Sequence, residues 1–150
     1  MAEAVLLIGL QGAGKSTFCR ERLFETHIRI NLDMLKTRHR EQSLFKACLA
    51  AQQSLVVDNT NASRDERASF LVPARDAGFR TIGYYFQSRV EDCVRRNDQR
   101  ALPQRVPLRG ILGTSARLAR PVLEEGFEQL FYVWIDDGGR FVVEDWIDEV

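Results

Sequence analysis

The sequence predicts a three-layer α/β fold, in which a mainly parallel five-stranded sheet carries helices on both of its faces. Short apolar runs alternate with helical segments through most of the 150 residues, the pattern of a parallel sheet. The runs at Val5–Ile8 and Ser54–Asp58 lack polar alternation, as expected for strands buried on both faces. Asp136-Asp-Gly-Gly139 lies between two apolar runs and predicts an additional C-terminal hairpin.

Length and composition indicate one domain over residues 1–150. A chain of this size can bury a core without disulfides or metals, and 45% hydrophobic with 28% charged residues is ordinary globular composition. The formal net charge of +0 gives no overall field toward nucleic acid or membrane. Three distant cysteines and two histidines argue against a disulfide framework or a histidine-based site. With no recognisable signal peptide or membrane span, we expect a cytoplasmic protein, or a nuclear one in a eukaryote, that is not secreted.

The predicted elements have recognisable starts and stops. The predicted strands are Val5–Ile8, His27–Ile30, Ser54–Asp58, Thr81–Phe86, Gln129–Ile135 and a short hairpin strand at about Arg140–Val143. The predicted helices are Ser16–Phe24, Asp33–Arg40, Gln42–Ala51, Ser63 to about Ala77, Ser88 to about Arg100, Ser115–Arg120 and Val122–Glu125. Ser63-Arg-Asp-Glu66 and Ser88-Arg-Val-Glu91 each match a capping box. Segment 102–108 contains two prolines and is predicted to be a loop.

Gly9-x-x-x-x-Gly14-Lys15-Ser16 is a complete phosphate-loop motif. It follows a predicted strand and opens a predicted helix, which is the context that the motif requires. Glycines let backbone N–H groups approach phosphate oxygens, and the helix start adds its positive dipole end. We expect Lys15 to reach the β- and γ-phosphates of ATP and the Ser16 hydroxyl to bind Mg²⁺. A plain glycine turn is the alternative, whereas the glycine order disfavours NAD or FAD.

Two aspartates at the ends of predicted strands are candidates for the chemistry. Asp58 suits a water-mediated partner of the Mg²⁺ at Ser16, and capping of the next turn is the alternative. Asp33 follows the second strand, so it should project from the same sheet edge as the phosphate loop. It is therefore the best candidate for a general base toward an acceptor hydroxyl, and an N-cap of the next helix is the alternative.

Arginine is concentrated late in the chain. Residues 89–120 contain eight Arg against three acids, whereas residues 124–150 contain nine acids and one Arg. Phosphoryl transfer depends on charge stabilisation, and Arg96 and Arg100 share one face of a predicted helix. Together with segment 102–108 they form a candidate lid over the phosphates. This cluster and the short chain favour a small kinase, and a solvated helix face is the alternative for the arginines.

Several motifs together resemble the 5′-hydroxyl polynucleotide kinase domain, the kinase half of polynucleotide kinase/phosphatase enzymes. The matching stretches, in the family's order, are GLQGAGKSTF (9–18), INLDML (30–35), VVDNTN (56–61), RRNDQR (95–100) and, more loosely, LARPVLEEGFEQL (118–130). The resemblance implies a P-loop kinase fold with strand order 2-3-1-4-5. It also implies transfer of a phosphoryl group from ATP, with Mg²⁺, to the 5′-hydroxyl end of DNA or RNA.

The resemblance carries residue roles with it. The ATP-binding residues would be Gly12, Ala13, Gly14, Lys15, Ser16 and Thr17. Asp33 would be the general base, and Asp58 would organise the acceptor and metal side of the site. Arg96 and Arg100 would be the lid arginines over the phosphates.

The chain departs from this family in two places and leaves other functions open. Leu32 stands where the family commonly has Arg, and Lys36 stands where the phage type has Arg. Lys36 could still contact an acceptor phosphate, as a point charge without the guanidinium fork. A small-molecule kinase for a nucleoside, sugar or antibiotic is the first alternative, and a catalytically silent ATP-binding module is the second. The sequence does not indicate an oligomeric state.

Overall fold

The computed structural model describes residues 1–147 and contains a six-stranded sheet in the order β2-β3-β1-β4-β5-β6. The strands are β1 (Glu3–Ile8), β2 (Ile28–Ile30), β3 (Leu55–Asp58), β4 (Arg80–Phe86), β5 (Gln129–Ile135) and β6 (Phe141–Asp145). Strands β1 to β5 are parallel, and β6 is antiparallel to β5. The predicted fold class is confirmed, and the predicted hairpin supplies a sixth strand beyond the order 2-3-1-4-5.

Residues 1–147 form six α-helices and two short 3₁₀ turns. The helices are α1 (Lys15–Arg22), α2 (Leu32–Leu35), α3 (Arg38–Ala51), α4 (Arg64–Asp76), α5 (Val90–Asp98) and α6 (Leu108–Arg117). The 3₁₀ turns are Leu102–Gln104 and Leu123–Glu125. Within the described part of the chain, no helix combines the length and the apolar character needed to cross a membrane.

Two hydrophobic cores lie on opposite faces of the sheet, because successive side chains of β1 point in opposite directions. Leu6 and Ile8 belong to the core that contains Phe45 of α3 and Phe70 of α4. Val5 and Leu7 belong to the second core, together with buried residues of α1, α5 and α6. The central strand is therefore packed on both faces, which fixes the point where the glycine loop leaves it.

The predicted helix Asp33–Arg40 is wrong, because the segment divides into two helices. α2 ends at Leu35, and Lys36 follows with a φ angle of +78°, a conformation that side chains with a Cβ seldom adopt. The Thr37 hydroxyl then accepts a hydrogen bond from the Arg40 N–H (3.1 Å) and starts α3. Asp33 therefore lies on a four-residue helix of its own.

One predicted capping box forms a cap and the other does not. The Ser63 hydroxyl accepts a hydrogen bond from the Glu66 N–H (3.1 Å) at the start of α4. The Ser88 hydroxyl instead accepts from the Leu10 N–H (3.1 Å) and donates to the Phe86 carbonyl (2.8 Å). The second box is therefore wrong as a helix cap, and its serine ties the glycine loop to the end of β4.

The region of the predicted lid is more helical than the sequence indicates. Segment 102–108 contains a 3₁₀ turn, and α6 begins at Leu108 rather than at Ser115. Gly110 and Gly113 are poor helix formers and hide the helix in the sequence. The Asn97 side chain closes the segment onto α5, since its amide donates to the Val106 carbonyl (2.7 Å) and accepts from the Val106 N–H (2.9 Å).

Candidate active site

The glycine loop between β1 and α1 is shaped by close backbone approaches. Gly12 has a φ of +84°, and a Cβ at this position would collide with the carbonyl oxygen of Cys93 in α5. Gly14 caps α1 with a φ of +101°, and a Cβ there would lie 3.0 Å from the ring of Phe141 in β6. Both positions need glycine for conformation and for space. The loop is thus held between α5 and the C-terminal hairpin.

Lys15 is buried within this loop and folds back onto it. Its ammonium donates to the carbonyl oxygens of Gly9 (2.8 Å) and Leu10 (2.7 Å). Burial lowers the pKa of Lys15 from 10.5 to about 8, against the opposing effect of the Asp58 carboxylate. A buried cation of this kind is stabilised by an added negative charge, which a phosphate group supplies.

Ser16 and Asp58 meet at the start of α1. The Ser16 hydroxyl donates to Asp58 Oδ2 (2.8 Å), and Arg29 Nε of β2 donates to the same oxygen (2.8 Å). Asp58 is buried at the end of β3, where its carboxylate is balanced by that guanidinium. One hydroxyl oxygen and one carboxylate therefore lie side by side at the glycine loop, and their predicted role toward Mg²⁺ stays a prediction.

The Asp-Asn-Thr-Asn stretch after β3 joins three parts of the site. The Thr60 carbonyl accepts from the Gly9 N–H (3.0 Å), and the Asn61 amide donates to the Leu7 carbonyl (2.7 Å). The Asn59 side chain accepts from the Leu32 N–H (2.9 Å) through its carbonyl oxygen. The stretch therefore fixes the glycine loop on one side and α2 on the other.

Five predicted site residues line one cavity of about 790 Å³. They are Lys15, Ser16, Asp33, Asp58 and Arg100. Within residues 1–147, no hydrogen bond or ion pair occupies the exposed carboxylate of Asp33. Arg100 and Asp33 act on the pKa of Lys15 in opposite directions, the first lowering and the second raising it. The cavity thus joins the buried ammonium, a free carboxylate and a guanidinium.

The other predicted residues lie outside the lining of this cavity. Gly12, Ala13 and Gly14 supply loop backbone, while Thr17 and Lys36 are exposed on the first turn of α1 and at the end of α2. Arg96 Nη1 donates to the Gly12 carbonyl (3.2 Å). Arg96 also lines a second cavity of about 820 Å³, which Tyr132 and Trp134 of β5 border. The two predicted lid arginines thus line different cavities.

Sequence reasoning missed several side chains of the main cavity. The Gln11 amide donates to Thr114 Oγ1 of α6 (3.0 Å), and Arg117 of α6 pairs with Glu66 of α4 (2.6 Å). Glu41 of α3 lies directly behind the wall of the same cavity and is fully buried. Gln11, Glu66 and Arg117 stand in the glycine loop, a capping box and the arginine-rich stretch, and none of these patterns indicated a place in the cavity. Glu41 belongs to a polar segment without a motif.

A fully buried ion pair supports the site from outside the cavity. Arg67 of α4 forms a two-bond contact with Glu125 (2.8 and 3.0 Å), and its remaining nitrogen donates to the carbonyls of Asn61, Ala62 and Ala119. The pair joins the Asp-Asn-Thr-Asn stretch to segment 118–125. Both charged groups are satisfied, as burial of a charge requires.

Comparisons with known proteins give both the family and the fold. The profile of a family described as "AAA domain" matches residues 5–121. The bifunctional polynucleotide phosphatase/kinase of Schizosaccharomyces pombe is 27% identical over 129 residues, which are 83% of this chain and 32% of that protein. This chain therefore spans about a third of the length of that relative.

Two solved structures illustrate the shared fold. Kti12 from Chaetomium thermophilum, in complex with ADP-AlF3, matches with a TM-score of 0.65 and 18% identity over 89% of this chain and 90% of that chain. A gluconokinase from Sinorhizobium meliloti matches with a TM-score of 0.60 and 16% identity over 88% and 82% of the two chains. At these identities the likeness shows the fold alone. The structure has the α/β P-loop kinase fold, and since the family profile covers most of its length, the chain belongs to the AAA domain family.

Proposed function

We propose that this protein transfers the γ-phosphoryl group of ATP to the 5′-hydroxyl end of DNA or RNA. The observation that carries the proposal is the single cavity lined by Lys15, Asp33 and Arg100. A phosphate-binding cation, an unpaired carboxylate and a guanidinium are the groups that transfer to a hydroxyl requires. The similarity to a polynucleotide phosphatase/kinase supports a polynucleotide acceptor.

The phosphate end of the cavity suits a nucleotide with Mg²⁺. Lys15 and the backbone of the glycine loop would hold the β- and γ-phosphates. The Ser16 hydroxyl and the Asp58 carboxylate fit Mg²⁺, which takes few protein oxygens and keeps phosphate and water ligands. When bound, the ion neutralises charge on the phosphate oxygens.

Asp33 acts on the acceptor in the proposed reaction. Its carboxylate takes the proton of the acceptor hydroxyl while the hydroxyl oxygen bonds to the γ-phosphorus. The bond from that phosphorus to the β–γ bridging oxygen breaks, and ADP leaves. Arg100 stabilises the charge that develops on the transferred group. Arg96 holds the glycine loop through its hydrogen bond to the Gly12 carbonyl. The cavity that Arg96 borders, with Tyr132 and Trp134 on its wall, has room for the nucleoside of ATP.

The test is incubation with labelled ATP and oligonucleotides that carry a 5′-hydroxyl. We expect label at the 5′ end, and Asp33→Asn should lower turnover roughly 10²–10⁴-fold without loss of ATP affinity. Asp76→Asn, an exposed carboxylate at the end of α4, is the matched control and should transfer normally. The KM for the oligonucleotide should rise with salt, because phosphate contacts are screened. Folded wild-type protein that labels no oligonucleotide would refute the proposal.

A small-molecule kinase is the second candidate, and the acidic wall of the cavity favours it. Asp65 and Glu66 in the first turn of α4 line the acceptor side. The Asp65 carboxylate can accept hydrogen bonds from the hydroxyl or amino groups of a small acceptor and repels the phosphates of a polynucleotide, whereas Glu66 is already paired with Arg117. A panel of nucleosides, sugars and aminoglycosides that outcompetes oligonucleotides, with a KM insensitive to salt, would establish this function instead.

A further inference from the structure

We propose that Glu41 is a positioning residue for the transfer reaction, which fixes Asp33 through the side chain of Asn59. The inference rests on the proposed function, because it assigns Glu41 a role in aligning Asp33, the general base of the proposed reaction. Glu41 lies in the first turn of α3, and none of its side chain is exposed. A fully buried carboxylate beside a candidate active site needs a reason, because burying a charge is costly.

The contacts form a continuous path from Glu41 to α2. Glu41 Oε2 accepts a hydrogen bond from Asn59 Nδ2 (2.9 Å), and Glu41 Oε1 accepts one from Arg38 Nη1 (2.8 Å). Asn59 Oδ1 accepts from the N–H of Leu32 (2.9 Å), the residue that precedes Asp33. The path therefore ends on the backbone adjacent to the general base.

The carboxylate of Glu41 determines which end of the Asn59 side chain faces it. An ionised carboxylate can only accept hydrogen bonds, whereas an asparagine side chain has one donor end and one acceptor end. Glu41 therefore holds the Asn59 nitrogen toward itself and leaves the Asn59 oxygen facing the Leu32 N–H. A neutral residue at position 41 could not impose this orientation.

α2 needs external contacts of this kind. A helix of four residues has no independent stability, and it is followed by Lys36 in a strained conformation. Its start is held by Asn31, whose oxygen accepts from the Met34 N–H (2.9 Å) and whose nitrogen donates to the Asp58 carbonyl. The Leu32 N–H bond to Asn59 completes these contacts. Because no described residue bonds to the carboxylate of Asp33, its aim depends on the backbone of α2.

Glu41 itself does not touch the reacting groups. Both of its oxygens are taken by protein donors and its side chain has no exposed surface. Its influence on transfer therefore passes through Asn59. An error of about 1 Å in a reacting group can cost about 10²-fold in rate, so a released α2 should affect turnover far more than ATP binding.

The experiment exchanges the carboxylate and the amide between positions 41 and 59. In Glu41→Gln the fixed orientation is lost, and in Asn59→Asp two carboxylates face each other. Each single variant should lower kcat by about 10- to 100-fold while the Kd for ATP stays within about twofold. In the double variant, the amide introduced at position 41 can donate to the new carboxylate at position 59, while its oxygen accepts from Arg38. The double variant should regain kcat to within about threefold of wild type.

The controls separate positioning from general destabilisation. Thr81→Val removes a buried hydroxyl that donates to the Gly126 carbonyl, away from the cavity, and should lower stability without lowering kcat at a temperature where the protein is folded. Single variants with wild-type kcat, or a folded double variant no faster than its slower parent, would overturn the inference. A double variant that fails to fold would also overturn it, because the restored pairing predicts a native structure.

Failure of the proposed function is scored separately. Transfer by the wild-type protein is measured first, and its absence refutes the proposed function. With an active wild type, only the pattern among the variants decides the role of Glu41.

Discussion

Replacing Lys15 with methionine should remove a pH dependence of stability that the buried ammonium creates. The pKa of Lys15 is about 8 in the folded protein and 10.5 for an exposed lysine. Between these values the unfolded chain binds more protons than the folded protein, so the free energy of unfolding rises with pH. Below both values the folded state carries the full cost of burying the charge, about 3 kcal/mol. Methionine has a similar length and no charge.

The difference between the two proteins gives the magnitude. From pH 7 to pH 10, the unfolding free energy of wild type should rise by about 2.5 kcal/mol relative to that of Lys15→Met. Other groups titrate in this range, since burial raises the pKa of Cys19 to about 11 and opposes the rise. Cys19 is present in both proteins and Lys15 does not act on its pKa, so its effect cancels in the difference.

The assay is urea unfolding followed by circular dichroism at both pH values, in buffer without nucleotide or phosphate. Equal urea dependence of the two proteins would show that the same surface is exposed on unfolding. A difference that stays constant to within about 0.5 kcal/mol between pH 7 and pH 10 would refute the argument. The ammonium would then be hydrated as well in the folded protein as in the unfolded chain.

Two further predictions concern the loop and the buried ion pair. Gly12→Ala should abolish ATP binding, measured by calorimetric titration, and destabilise the protein by about 2 kcal/mol or more. Gly113→Ala is the control, because its Cβ meets no atom within 4 Å, and it should stabilise the protein by about 0.5–1 kcal/mol. Thermal unfolding measures the stability of both variants. Glu125→Leu should cost about 3–5 kcal/mol, because it leaves Arg67 buried without its partner. Adding Arg67→Met should recover part of that loss in urea unfolding, and a double variant less stable than the single one would contradict this.

Strand periodicity and the phosphate-loop motif predict most of the fold and the part of the site around the glycine loop. β5 and the glycine loop are found where their apolar run and glycines indicate, because these signals depend only on neighbouring residues. The strand order 2-3-1-4-5 is also predicted, because the resemblance to the polynucleotide kinase domain implies it. Lys15 and Asp58 come together because the glycine loop that leads to Lys15 leaves the carboxyl end of β1, and Asp58 ends the adjacent parallel strand β3.

The remaining features depend on contacts distant in sequence. Ser88 has the local signature of a helix cap, yet its hydroxyl accepts a hydrogen bond from the N–H of Leu10, 78 residues earlier. Glu41 lies in a polar segment, and its burial depends in part on a contact with Asn59 from a distant loop. Lys36 breaks a helix that its own sequence favours. A single sequence carries no signal for such pairings, so the interior polar contacts of the cavity became visible only with the fold.

The packing of Phe141 against Gly14 has a consequence for how the protein is made. The glycine loop leaves the ribosome early in synthesis, but the ring that braces it belongs to a strand translated more than a hundred residues later. A nascent chain with β6 still in the exit tunnel would have the loop sequence without its final support. The loop would then reach its final packing only after the hairpin has emerged.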